Sequence, residues 1–201
     1  MTHRLTLICA DRRRRPGFPK REDADDVSHA IEVRRGRLVP RADRYWRAPD
    51  ALARLTAEWL GVDAAASEKL AEIDYGAWSG RDLDDVAKDE PGAFAEWAGD
   101  PLAKPHGGES LADLASRVGD WLAERLSDRG HSVAIAPAAV VKACAIVSLG
   151  APATAFYRID VDPLSVSRLV SDGRRWSLRS LNERPDRRRV RPASGQAPDG
   201  A

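Results

Sequence analysis

Two short apolar runs constrain this chain more than any other feature in it. Arg4 to Ala10 (RLTLICA) and Ser132 to Ala136 (SVAIA) are mostly apolar and stop abruptly, the first at a charged turn and the second at Pro137. That is the form of a buried parallel strand, covered on both faces. Between and after these runs the apolar spacing becomes helical. Pro49 to Leu60 places Leu52, Leu55, Trp59 and Leu60 on one face, with Pro49 suited to a first helical position. Ser110 to Leu126 carries the stripe Leu111, Leu114, Val118, Trp121, Leu122 and Leu126 behind a Ser110/Asp113 pair that resembles a capping box, and Gly130 is expected to end it. Ala138 to Leu149 is apolar nearly all round except at Lys142 and Ser148, as a helix packed against a sheet would be.

The segment Asp82 to Gly99 predicts two short helices broken at Glu90-Pro91. Ser165 to Val170 and Arg174 to Leu181, joined by Ser171-Asp172-Gly173, predict a late antiparallel hairpin. Strands alternating with helices predict a three-layer α/β/α sandwich with a mainly parallel central sheet and an antiparallel edge. The domain is expected over residues 1–181. From Asn182 to Ala201 only one aliphatic side chain larger than alanine occurs, so nothing there repays ordering entropy and 182–201 reads as a disordered, basic, proline-rich tail. No internal repeat is visible.

Composition narrows the function classes. A chain of 201 residues, 43% hydrophobic and 31% charged, suits one compact domain. The net charge of +1 conceals a basic run, Arg12 to Arg15, followed by the acidic Asp23, Asp25 and Asp26. The whole protein therefore has no field to steer nucleic acid, and the tail cluster Arg187 to Arg189 with Arg191 has no interleaved aromatic to stack bases. Cys9 and Cys144 are too few for a disulfide scaffold or a zinc site and suggest a reducing compartment. His3, His29 and His131 show no ligand spacing, so neither a metal nor a cofactor is expected. No cleavage pattern follows the N-terminal apolar run, and no apolar stretch approaches the length of a membrane span. The expectation is a cytoplasmic, soluble protein.

In an open α/β sheet, ligands sit in the crevice beyond the carboxyl ends of the strands. The residues leaving the two apolar runs, Cys9, Ala10 and Asp11 together with Ala136, Pro137 and Ala138, therefore matter most.

The succession RLTLICA, LAEIDYGAWSG, PHGGESLADLASRV, SVAIAPAAVVKA, LGAP and FYRID resembles the histidine phosphatase superfamily, of phosphoglycerate-mutase-like fold, over residues 4 to 181. Glu72, Gly76, Trp78 and Gly80 fit the family's Glu-x-x-x-Gly-x-Trp-x-Gly segment, and Gly107, Gly108, Glu109 and Ser110 fit its Gly-Gly-Glu-Ser helix start. The resemblance implies a phosphate-accepting histidine after the first strand, where Ala10 stands, and a second histidine after the later strand, where Pro137 stands. The arginine expected to hold phosphate aligns with Leu52, or with Arg54 if the alignment slips. Glu72 matches the proton-donor position. Neither a methyl group nor a proline ring has a lone pair with which to attack phosphorus, and Leu52 offers no charged fork to a dianion.

The resemblance therefore implies a degenerate site in a non-catalytic relative, one that binds a phosphorylated small molecule, another acidic ligand or a protein partner through the old crevice. Arg12 and Arg15 at its mouth, with His106 from the approach to Gly107-Gly108, are the candidate ligand-binding groups. Two other classes compete. Cys9 and Arg15 satisfy the Cys-x5-Arg spacing of cysteine-dependent phosphatases, which makes an enzyme using Cys9 as nucleophile, Arg15 for the anion and Glu72 as acid a second reading. Against it, the loop lacks glycine, Asp11 repels a dianion, and Pro16-Gly17 begins a turn rather than a helix. The third is an interaction scaffold with a collapsed pocket. Ser28-His29-Ala30 imitates a catalytic turn but no apolar strand leads into it, and Trp78 and Trp97 flank the variable lid segment.

Overall fold

The structure, a computed structural model, describes residues 2–10, 17–20 and 39–184. Its strands are β1 (His3–Cys9), β2 (Arg44–Arg47), β3 (Ala65–Ala66), β4 (Gly130–Ala136), β5 (Val166–Ser171) and β6 (Trp176–Glu183), in the sheet order β3-β2-β4-β1-β5-β6. The two apolar runs are the central pair, parallel and in register from His3↔Gly130 to Cys9↔Ala136. Side chains alternate across a strand, yet Leu5, Leu7 and Ile8 on β1 and Val133, Ala134 and Ile135 on β4 are all at most 1% exposed. Both faces of the sheet are therefore covered, which makes a three-layer sandwich. β2 and β3 extend the parallel part, and the antiparallel β5–β6 hairpin forms the other edge against β1.

The helices are α1 (Ala51–Leu60), α2 (Leu83–Asp89), α3 (Pro91–Gly99), α4 (Leu111–Glu124) and α5 (Ala138–Leu149). The break at Glu90-Pro91 and the span of α5 are as the sequence predicts. In α4 the Asp113 amide donates to Ser110 Oγ (3.0 Å) and the Ser110 amide donates to Asp113 Oδ2 (3.1 Å), a complete capping box.

Four boundaries differ from expectation. α1 starts after Asp50, its N-cap, so Pro49 lies outside the helix. α4 closes on Arg125 rather than at Gly130, which has φ +84 and opens β4. Arg174 and Arg175 belong to the hairpin turn, where the Asp172 carboxylate accepts both their amides. β6 runs to Glu183, so Asn182 and Glu183 belong to the sheet rather than to a tail. Residues 185–201 lie outside the described residues.

β2 and the two-residue β3 are strands that the sequence reading missed, and β2 is the instructive one. Arg44 and Arg47 bracket Tyr45 and Trp46, which hides a half-buried strand inside a polar-looking tetrapeptide. Trp46 meets Trp121 edge-on at 6.5 Å, and the Arg125 guanidinium lies 4.5 and 4.2 Å from their ring centres. That cation–aromatic stack supplies the packing that alternation would otherwise signal.

Candidate active-site crevice

β1 and β4 end together. The Ala10 amide donates to the Ala136 carbonyl (2.8 Å), so Ala10 and Pro137, the N-cap of α5, leave adjacent strands side by side. Both are buried. These are the positions at which the family resemblance calls for histidine.

Cys9, one residue earlier, is 3% exposed, and its thiol donates to its neighbour's carbonyl, Ala10 O (3.6 Å). Its backbone is clamped to the start of β5, its amide donating to Ser165 O (3.0 Å) and its carbonyl accepting from Leu164 N (3.1 Å). Leu164 holds a left-handed backbone, φ 58, while fully buried, a strained conformation that this clamp maintains.

Leu52 occupies the first turn of α1 and belongs to the core, 9% exposed. Two residues before it, the Asp50 carboxylate accepts the Glu72 amide (2.9 Å), which fastens the Glu72 segment to the N-terminus of α1. Glu72 is 8% exposed, and its Oε1 accepts the amide of Ile73 (3.0 Å). The Ala48 amide, two residues before Asp50, donates to Ile135 O (2.8 Å), which sets the Leu52 and Glu72 stretches beside the strand end that carries Pro137.

The framework around Glu72 is held by backbone contact. The Glu109 amide donates to Asp74 O (2.7 Å) and the Ala77 amide to His106 O (2.9 Å). A Cβ on Gly108 would strike Asp74 O, and one on Gly76, at φ +48, would strike His106 O. Only glycine permits these two loops to touch, which accounts for both glycine motifs. Arg117 locks the arrangement, with Nε and Nη2 donating to the two Glu109 carboxylate oxygens (2.7 Å each) and Nη1 donating to Lys69 O and Ala71 O.

His106 is 3% exposed and sits between Tyr75 and Trp78, with ring centres 5.9 and 5.1 Å away. Its Nδ1 accepts the Gly108 amide (3.0 Å), which puts the proton on Nε2. Burial lowers its pKa, so the ring is neutral. These contacts order the Gly107-Gly108 loop. Arg12 and Arg15, the other ligand-binding candidates, lie outside the described residues.

A cation that sequence reasoning did not assign to the site is Lys142. It interrupts the apolar face of α5, its ammonium lies 4.7 Å from the centre of the Phe156 ring, and Asp160, Cys9 and Glu72 are near enough to influence its titration. The signal was present, since a lone lysine in a helix otherwise buried all round requires a polar destination. Trp97 and Trp78 are buried and pack on Phe18 at 5.3 and 5.2 Å. Tyr157 O–H donates to Trp97 O (2.7 Å), joining the end of α3 to the 3-10 turn Ala153–Arg158. Among the described residues no cluster of three or more His, Cys, Asp or Glu could hold a metal ion, and no helix is long and apolar enough to cross a membrane.

Sheet order, the paired strand ends and the glycine-gated Glu72 loop define an α/β sandwich of the phosphoglycerate-mutase-like kind. The family model of the histidine phosphatase superfamily (branch 1) matches residues 47–184, and the chain belongs to that family. Phosphoserine phosphatase 1 of Hydrogenobacter thermophilus is 30% identical over 129 residues, 63% of this chain and 61% of its own length. A bifunctional protein of Mycobacterium tuberculosis is 29% identical over 133 residues, 62% of this chain. The chain spans only 35% of that relative's length. Among solved structures, mycobacterial glucosyl-3-phosphoglycerate phosphatase superposes with a TM-score of 0.72 at 21% identity, covering 92% of this chain and 100% of that one. At that identity the likeness concerns the fold.

Proposed function

We propose that this chain is a histidine-phosphatase-fold protein without phosphohistidine chemistry, which binds a phosphorylated small molecule or another acidic ligand through the crevice at the ends of β1 and β4. The observation that carries this reading is the pairing of Ala10 with Pro137 at those ends. Phosphoryl transfer through an enzyme intermediate needs a side-chain lone pair at phosphorus, and neither residue has one. Removing a nucleophile from a working hydrolytic site costs on the order of 10⁶ in turnover, as measured for another chemistry. Glu72 keeps its place, but an acid without a nucleophile has no leaving group to protonate.

The thiolate reading places Cys9 as nucleophile with Arg15 on the anion and Glu72 as acid. Burial of Cys9 and the use of its thiol by Ala10 O weigh against it. The phosphatase names of the sequence relatives support a phosphate-bearing ligand, and a protein partner remains the alternative occupant of the same face.

The test is phosphate release from an aryl phosphate and a panel of phosphometabolites, with Cys9→Ser run beside the parent chain. The expected result is no release above the buffer rate from either protein. Release abolished by Cys9→Ser would replace this reading with thiolate chemistry, and release indifferent to it would mean that water or another residue attacks.

A further inference from the structure

Lys142 names the residue that meets the ligand's charge, an inference that rests on the binding reading above. It stands in the second turn of α5, the helix that leaves β4 through Pro137, and its neighbours Ala139, Val140, Val141, Ala143, Cys144, Ala145 and Ile146 are all buried. A helix so enclosed tolerates an ammonium only if the stem is buried and the head reaches a polar opening. The head of Lys142 rests over Phe156, 4.7 Å from its ring centre, within electrostatic reach of Asp160, Cys9 and Glu72. Burial pulls its pKa below the ordinary lysine value, while Asp160, Cys9 and Glu72 pull in the other direction and favour the charged form.

Leu52 leaves this neighbourhood without the cation that the family resemblance expects, and Lys142 brings one in on a different element, α5. We propose that Lys142 receives the phosphate group of the crevice's ligand, in place of the arginine that the family resemblance expects where Leu52 stands. Asp160 is exposed and water-screened, so its hold on the ammonium is weak. An incoming phosphate competes with Asp160 for the ammonium, which Phe156 holds against its ring face. The ligand gains a charge-assisted hydrogen bond in a partly desolvated setting, the stronger class of such bonds.

The experiment is calorimetric titration of the full chain with inorganic phosphate in low-salt buffer, using the parent, Lys142→Met, Lys142→Arg and Asp160→Asn proteins. Losing one charge-assisted bond is expected to weaken phosphate binding by about tenfold or more in Lys142→Met. Lys142→Arg retains binding because it retains the charge, and Asp160→Asn tightens binding because it removes a competing carboxylate. Thermal melting of each variant checks that the fold is intact. Equal affinity in Lys142→Met and parent, or no phosphate binding by the parent, overturns the assignment. Phosphate release from esters by the same samples refutes the non-catalytic reading instead, so the two failures are separable.

Discussion

Arg117→Met tests how the Glu72 segment is held. In the folded chain one guanidinium makes four hydrogen bonds, two to the Glu109 carboxylate at 2.7 Å each and one each to Lys69 O (3.0 Å) and Ala71 O (3.1 Å). Methionine keeps the stem but leaves Glu109 charged and unpaired and both carbonyls without their donor. Breaking one partner of a fully buried pair costs about 3–5 kcal/mol. Here the side chains are 21% and 15% exposed, so water reaches part of the orphaned carboxylate. We expect about 2–4 kcal/mol once that partial screening is allowed for. For a chain of this size each kcal/mol lowers Tm by about 2–4 °C, so melting should fall by about 4–16 °C. Urea denaturation followed by tryptophan fluorescence should show a lower midpoint at unchanged m-value. Glu109→Gln in a double-mutant cycle with Arg117→Met should return a coupling of at least ~1 kcal/mol. A loss below about 1 kcal/mol, or additive single effects, would refute the claim that this pair fastens the loop carrying Ala71 and Glu72.

Other consequences follow from the same geometry. Gly108→Ala drives a Cβ into Asp74 O and should destabilise by about 2 kcal/mol or more, whereas Gly92→Ala, with nothing within 4 Å, should be neutral or stabilising; equal urea midpoints for the two variants would contradict the close approach. His3, His106 and His131 all have pKa values lowered from 6.5, chiefly by burial. The unfolded chain therefore takes up protons that the folded chain resists, so their stability contribution is complete above pH 6.5 and is lost as pH falls through the lower folded values. The urea midpoint should drop between pH 7.5 and 5.5 and do so less steeply in His3→Gln, and a flat profile would contradict the assigned burial. Burial pushes the Cys144 thiol up to about 12, and Cys9 is buried as well, 3% exposed. A chromogenic disulfide reagent at pH 8 should label neither thiol before urea is added, and rapid native labelling of Cys9 would revive the thiolate reading.

The sequence made the central strands legible because both are buried on two faces, which leaves an uninterrupted apolar run to read. The α4 cap was legible because Ser110 and Asp113 satisfy each other locally, without help from distant residues. β2 was not, since its stability comes from Trp46 and Arg125, 79 positions apart along the chain (125 − 46), and no local pattern reports such a contact. Gly130 misled for a related reason. Its positive φ suits the end of a helix, yet here it admits the Asp43 carboxylate, which accepts the His131 amide (2.8 Å), at the start of a strand. At the site, Ala10, Pro137, Leu52 and Glu72 could be named from motif spacing. Asp50 could not be assigned to it, because its carboxylate meets the Glu72 amide 22 positions further along the chain, and Lys142 announced a polar destination without saying which one.

The groups that keep the framework and the groups that resemblance assigns to chemistry are physically separate, and that separation bears on how the fold would stand with Ala10 and Pro137 where the resemblance expects histidines. The loop contact at Gly76 and Gly108, the Ser110 cap and the Arg117–Glu109 lock involve none of Ala10, Pro137 or Leu52. Those three positions instead add apolar surface to the core: Ala10 is 5% and Leu52 9% exposed, and Pro137 is preset at the N-terminus of α5, where its missing amide leaves no donor unsatisfied. A histidine at position 10 or 137 would be a polar ring in a buried setting that must find partners, and an arginine at position 52 would be a buried charge. The folding free energy therefore gains from the residues present, and on the proposed reading the cost falls on chemistry, the usual opposition between a stable site and a reactive one. Restoring histidine at both positions should then lower the urea midpoint whether or not any phosphatase activity returns, and a midpoint that holds or rises would mean that this crevice still has room and partners for both rings.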